Sequence, residues 1–307
     1  MTEHEGVSIL IPVYNTDVRE LVRSLADDAN NSKILHEIVC FDDASRPSIK
    51  QTNRFITNIP NVRYKELPQN IGRSAIRNAL AEEASYNYII FLDCDSGILP
   101  GFLLRYMPFQ KFPVVIGGRM YTSTPPGPEY TLHWTVGSQR ELYNPEQRQK
   151  KPYEHFMLNN LMIRKDVFRS IKLDENIHGY GHEDTKFGFE LKGRGIKIQY
   201  INNPVFHMGL DSNRDFLKKT IEGVKNFYQI SKEGFGTNAA LYKAFTKLKK
   251  ARMLNVFHFI MKNIKGLIEK NLLSESPNLT LFDLYKLYIF TESYKKGVYM
   301  IYCGKVI

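Results

Sequence analysis

Val7-Ser8-Ile9-Leu10-Ile11-Pro12-Val13 is a short apolar run rich in β-branched side chains, the pattern of a strand buried on both faces. Asn15, Thr16 and Asp17 then offer polar caps for a helix reaching about residue 30. A second buried strand at 37–41 runs into Asp42 and Asp43. Residues 47–58 read as a helix with Pro47 at its start, where a missing N–H costs no hydrogen bond. A third, more alternating strand covers 61–66, and an alanine-rich helix covers 71–84. The fourth strand, 88–92, ends in Asp93-Cys94-Asp95. Strands alternating with helices at this spacing predict a mostly parallel sheet in an α/β layer fold.

The pattern then changes. Residues 122–153 are rich in Pro, Gly, Gln and charge and read as a long surface loop with one short helix; loops of that length are usually functional or disordered. A strand is expected at 159–163, a short helix from Asp166, and a helix over 183–192 stopped by Gly193 and Gly195. Residues 196–206 read as a late strand. Helical periodicity runs from Arg214 to the end, and no internal repeat stands out.

Composition is ordinary for a globular chain: 307 residues, 43% hydrophobic and 24% charged, which excludes collagen-like, mucin-like and wholly disordered proteins. Charge is not ordinary. The formal net charge is +10, a balance that suits an anionic partner: nucleic acid, an acidic membrane or a phosphorylated small molecule. Residues 1–211 carry 25 basic and 25 acidic side chains, and residues 212–307 carry 17 and 7, so the whole excess lies in the tail. This break divides the chain into a neutral domain, 1–211, and a basic helical extension, 212–307. The opening residues are acidic and polar, unlike a secretion signal, and no apolar run approaches the roughly 18 to 20 residues of a membrane span. Cys40, Cys94 and Cys303 form neither a disulfide framework nor a paired zinc motif, so a cytoplasmic location is expected.

Ligands of open α/β sheets bind beyond the carboxyl ends of the strands, and two of these strands end in acidic pairs. Each pair alone reads as capping or a polar loop; together they point to a site. In extended chain Asp93 and Asp95 face the same way, with Cys94 opposite, and two converging carboxylates suit Mg²⁺ or Mn²⁺ shared with substrate phosphates.

Four segments stand in order at fitting spacings: Ile11-Pro12-Val13-Tyr14-Asn15, Asp42-Asp43-Ala44-Ser45, Asn70-Ile71-Gly72-Arg73-Ser74-Ala75-Ile76-Arg77-Asn78, and Asp93-Cys94-Asp95. Together they resemble the nucleotide-binding half of family 2 glycosyltransferases with the GT-A (nucleotide-diphospho-sugar transferase) fold, over about residues 7–210 and not the basic tail. The resemblance implies that Pro12 and Tyr14 line the uracil of a UDP-sugar donor and that Asp42 or Asp43 receives its imide hydrogen. It implies further that Arg73 lies near the base and phosphates, that Asp95 binds the metal, and that Asp93 is its ribose- or metal-facing companion. The alternative for Tyr14 is a packed aromatic and for Arg73 a solvated helix charge.

Gly179-Tyr180-Gly181-His182-Glu183-Asp184 places two acids at a helix start, where the dipole favours them as mere caps. The segment resembles the Gly-aromatic-Gly-x-Glu-Asp motif of inverting sugar transferases, including galactosyltransferases. That likeness implies Asp184 as general base and Glu183 as acceptor contact. It also implies His207 as a further metal ligand, while His155 and His182 read as structural. Asn159 and Asn160 read as acceptor-facing or as buried amides, and Trp134 as a sugar platform or a loop anchor.

In the tail, Phe216, Leu217, Ile221, Val224 and Tyr228 recur at helical spacing. Met253, Val256, Phe257, Ile260, Ile264, Leu267 and Ile268 do so again, with Lys262, Lys265 and Lys270 elsewhere on that helix. Packing on the catalytic domain and lying on an anionic membrane both fit, and the aromatics Tyr285, Tyr288, Phe290, Tyr294 and Tyr299 add to the second. The reading is a metal-dependent inverting transferase that moves a hexose or N-acetylhexosamine from a UDP-sugar to a saccharide or lipid-linked saccharide. It is peripheral on the inner face of the membrane and has no nucleic-acid partner. The alternative is a catalytically silent module of the same fold that binds nucleotide or glycan.

Overall fold

The computed structural model describes residues 6–303, with side chains through residue 297; the acidic residues at the N-terminus, Tyr299 and the Cys303 side chain lie outside the described residues. The strands are β1 (Val7–Val13), β2 (His36–Asp42), β3 (Val62–Glu66), β4 (Tyr88–Leu92), β5 (Ser96–Gly97), β6 (Val114–Ile116), β7 (Arg119–Met120), β8 (Asn160–Arg164), β9 (Ile198–Tyr200) and β10 (Val205–His207). The helices are α1 (Arg19–Asn31), α2 (Pro47–Asn53), α3 (Arg73–Glu83), α4 (Phe102–Tyr106), α5 (Thr131–Arg140), α6 (Pro145–Gln149), α7 (Lys165–Ile171), α8 (Glu183–Gly193), α9 (Asn213–Lys232), α10 (Ala240–Lys250), α11 (Leu254–Leu272) and α12 (Leu279–Cys303). They form two compact units. The first comprises Met1–Thr122, Glu141–His178 and Glu183–Gly209; the second comprises Ser123–Arg140, Gly179–His182 and Leu210–Ile307.

The first unit is built on a seven-stranded sheet of order β3-β2-β1-β4-β8-β6-β9. Strands β1 to β4 are mutually parallel, and β8 runs antiparallel to both β4 and β6. The apolar run of β1, interrupted only by Ser8, follows from burial on both faces. Ile9 and Ile11 join Leu21, Val22 and Leu25 of α1 in one core, whereas Leu10 joins Ile76 and Leu80 of α3 in the other. Pro47 sits in the first turn of α2, as its fixed φ favours.

Two stretches differ from expectation. Residues 122–153 are not one long loop with a single short helix, for they contain α5 and α6. Helix α6 is nucleated by a capping box between Asn144 and Gln147, and α5 carries few apolar positions for periodicity to detect. Residues 196–206 are not one strand. Pro204 supplies no ladder donor, and Asn203 turns inward, accepting from Arg105 Nε (2.7 Å) and donating to Phe102 O (3.0 Å). The chain leaves the large sheet after β9, and β10 instead pairs antiparallel with β5 and parallel with β7 in a separate three-stranded sheet.

Asn160 holds this departure in place. Its amide donates to Gly118 O (2.8 Å) and Asn203 O (2.7 Å), and its Oδ1 accepts from the Tyr106 hydroxyl (2.6 Å). Of its two readings, the buried amide is the one that the geometry bears out.

In the second unit α9, α10 and α11 all pack on α12. Phe227, Phe245, Tyr285, Tyr288 and Phe290 are buried there. The late aromatics Tyr285, Tyr288 and Phe290 therefore serve the helical core and are not offered to a membrane. No helix among the described residues is long and apolar enough to cross a membrane.

Replacing Asn160 with Ala strips partners from three buried groups. We expect a loss of about 2–4 kcal/mol of stability in urea unfolding, with no change in the unfolding slope.

Candidate active site

The strand ends of the first unit turn out to have different duties. Asp42 is wholly buried, its oxygens accepting from Ser45 N (2.7 Å) and the Tyr64 hydroxyl (2.7 Å). Asp43 accepts from the amides of Ile71 (2.7 Å) and Gly72 (3.1 Å), pinning the segment that opens α3. Burial pushes the Asp43 carboxyl above its ordinary range despite those two amides. Both acids thus anchor loops, and Asp42 in particular is turned inward rather than offered to a ligand. The loops after β1 and β2 are stitched together as Asn15 N donates to Ser45 Oγ (2.7 Å) and Arg46 N to Asn15 Oδ1 (2.9 Å). Beyond the half-buried Pro12, Tyr14 is 54% exposed at the carboxyl end of β1 and presents an uncovered ring.

Asp93-Cys94-Asp95 is not extended chain. The chain turns directly after β4, with Ser96 N bonded to Asp93 O (3.1 Å), because β5 must reverse to meet β10. Asp93 consequently meets Arg77 (Oδ1 to Nη2, 2.6 Å), whose side chain is 4% exposed. Burial opposes ionisation of Asp93, but Arg77, Arg73 and Arg119 outweigh it and hold the carboxyl below the ordinary range. Arg77 also donates to Arg73 O (3.1 Å), and Arg73 Nε pairs with Glu183 Oε1 (2.8 Å). Glu183 is buried, and the two arginines keep it ionised against that burial. Its charge, after burial itself, is what pushes the neighbouring Asp184 up to about 6.

Asp95 lies beside His207 (Oδ2 to Nε2, 3.8 Å). Pairing of Ser96 with His207 and the bond from Met208 N to Asp95 O (2.8 Å) set that approach. Gly209 completes it, since a Cβ there would lie 2.3 Å from Asp95 Oδ2. The Tyr121 ring stacks on His207 (centroids 5.7 Å, 29°), and its hydroxyl donates to Glu141 (2.6 Å), which also pairs with Arg119 (2.8 Å). Among the described residues no cluster of three or more His, Cys, Asp or Glu side chains is gathered for a metal. One carboxylate and one imidazole are too few for an all-protein cage, yet they fit a cation that takes its remaining ligands from substrate phosphates and water. Burial raises the Asp95 carboxyl, an arrangement that a cation would relieve.

The structure therefore brings together Arg73, Arg77, Asp93, Glu183 and Asp184 in one charged chain, and Asp95 with His207 in a second group.

Residues 8–171 match the model of glycosyl transferase family 2. The chain belongs to that family. A chondroitin synthase from Escherichia coli is 28% identical over 235 residues, which is 64% of this chain and 34% of the relative. A poly(ribitol-phosphate) beta-glucosyltransferase from Bacillus spizizenii is 36% identical over 110 residues, covering 34% of this chain and 17% of the relative. The family 2 chain thus spans about a third or less of the length of these relatives. A mannosyltransferase from Pyrobaculum calidifontis, solved in complex with GDP-Man and Mn²⁺, aligns at a TM-score of 0.52 and 12% identity over 74% of this chain and 63% of that one. That likeness is one of fold, the GT-A architecture.

Sequence reasoning on this family 2 glycosyltransferase missed Arg77, Arg119, Tyr121 and Glu141. Arg77 carried a signal, for it lies one turn after Arg73 and next to the buried Ile76. Arg119 carried none, its role depending on where β7 falls beside β10. Asn159 is buried with its side-chain oxygen unbonded, while its backbone oxygen accepts from Asp93 N (3.3 Å). His155 packs at a tilt against Tyr143. In the second unit Trp134 lies on α5 rather than in a loop, and His182 packs on Phe227.

Arg77→Met would take from Asp93 its nearest and strongest counter-charge. We expect a loss of about 3–5 kcal/mol at neutral pH. Because the Asp93 pKa is depressed, the pair's contribution is complete above the ordinary carboxylate range of about 4 and fades as the pH falls below it. Urea unfolding from neutral pH to about pH 3 checks this, the gap between wild type and variant narrowing toward the acid end.

Proposed function

We propose that residues 1–211 form the catalytic domain of a metal-dependent inverting glycosyltransferase and residues 212–307 its basic helical extension. The donor is a UDP-linked hexose or N-acetylhexosamine, and the acceptor is a growing saccharide, free or lipid-linked, in polysaccharide synthesis. The observation that carries the reading is Asp184, a half-buried carboxylate at the start of α8 whose pKa is pushed up to about 6 beside an ionised Glu183. An acceptor hydroxyl is a poor nucleophile, and a base titrating near the working pH takes its proton most effectively as the bond to the sugar forms. A single base acting on the acceptor side favours one in-line displacement, with inversion at the sugar carbon.

Each remaining side chain has a task in this reading. Tyr14 stacks on the base, Pro12 borders it, and Asp43 is the better placed of the acidic pair to approach its imide. Arg73 holds Glu183 in position for the acceptor while presenting charge to the diphosphate. Asp95 and His207 would hold Mn²⁺ or Mg²⁺, which when bound supplies charge stabilisation to the departing diphosphate. Arg77 keeps Asp93 ionised beside that group. The lysine-rich tail gives the enzyme a cytoplasmic place on an anionic membrane surface.

A donor screen following nucleoside diphosphate release, with and without Mn²⁺ or Mg²⁺ and saccharide acceptors, tests the proposal; no release from any donor would overturn it. Asp184→Asn is expected to lower kcat about 10²–10⁴-fold while leaving nucleotide binding intact, and full activity would sink the assignment of the base. The base must be ionised to act, so kcat/KM of the wild type should hold steady above about 6 and fall roughly tenfold per pH unit below it. A profile flat through that region would count against Asp184.

A further inference from the structure

Helix α11 is apolar on more sides than its packing uses. Met261, Ile268 and Leu272 are its buried residues, and the helix packs on α12. The stripe read from the sequence lies elsewhere. Val256, Ile260, Ile264 and Leu267 follow one another at four-, four- and three-residue steps, one line along the helix surface, and they are 55%, 51%, 36% and 72% exposed. Phe259, 69% exposed, widens the line on one flank. Of the seven apolar positions in that sequence stripe, only Ile268 is buried. Large exposed apolar faces of this kind mark interaction surfaces.

The charges around it choose the partner. Residues 240–273 contain eight basic side chains and one acidic. Lys247, Lys249 and Lys250 close α10 directly before α11, and Lys262 and Lys270 are exposed on α11 itself. A second copy of so basic a surface would be repelled by the first. An anionic bilayer is attractive to the lysines and receptive to the apolar line, which sinks to the depth of the acyl boundary while the ammonium groups stay with the lipid phosphates. Nineteen residues suffice for a helix lying in the membrane plane, and α11 does not qualify as a span.

We propose that the Val256–Ile260–Ile264–Leu267 face of α11, with Phe259, docks in the interface of an anionic lipid bilayer. This deepens the membrane reading of the tail and is independent of the sugar-transfer reading. The test is sedimentation of the full chain with vesicles of equal parts phosphatidylcholine and phosphatidylglycerol, against vesicles of phosphatidylcholine alone, at low and high salt. Binding is expected only to the anionic vesicles and is weakened by salt. Phe259→Ser with Leu267→Ser, both at exposed positions and so harmless to folding, should weaken it at least about tenfold. Lys262→Gln with Lys270→Gln should weaken it and flatten its salt dependence. Failure of the wild type to bind, or equal binding by the serine variant, overturns the proposal. So does a wild-type dimer that the serine variant dissociates while vesicle binding persists. Vesicle binding lost in the serine variant supports the proposal whether or not the chain turns over a donor, so the two readings fail separately.

Discussion

Arg77 is a guanidinium almost closed off from water, and it is tolerable there only because Asp93 meets it at 2.6 Å and Arg73 O accepts a second of its protons. The pair ties the carboxyl end of β4 to the face of α3. Its influence does not stop at the two residues. Arg77 and Arg73 together keep Glu183 ionised in a buried position, and ionised Glu183 in turn makes a second negative charge at Asp184 unwelcome. The raised pKa of Asp184 is thus set by its burial and by Glu183 beside it, and the arginines of α3 enter by holding that Glu183 in its charged form.

The second group depends on a different constraint, the failure of a strand to continue. Pro204 and the inward-turned Asn203 end the pairing of β9, and the released chain forms the small sheet that lays His207 beside Asp95. A continuous strand over the same residues would have carried His207 along the large sheet. The two groups rest on different devices, one on helix–strand ion pairs and one on a short reversal of the backbone, and they stay within electrostatic reach of each other through Asp93 and Arg119.

Much of this was legible before any coordinates. The apolar runs of β1, β2 and β4 announce burial on both faces, Pro47 marks a helix start, and the acids stand where a sheet of this kind places its chemistry. The departures from expectation have common causes. That Asp42 turns inward shows only once the Ser45 amide and the Tyr64 hydroxyl are seen on it. Locally Asp93-Cys94-Asp95 reads as extended chain, for nothing near it announces a reversal that meets residues more than a hundred positions away. Arg119, Tyr121 and Glu141 converge only through tertiary pairing, and short strands such as β6 and β7 carry too few residues for any periodicity. In the tail the hydrophobic line on α11 was visible, but only burial shows which of its apolar residues the helical core leaves uncovered.

Gly209 gives the design an uneven tolerance to change. It has no side chain, it belongs to neither core, and the seven-stranded sheet makes no use of it. A single methyl group at that position would collide with Asp95 Oδ2. A side chain there would therefore disturb the approach of Asp95 to His207 before it touched either hydrophobic core.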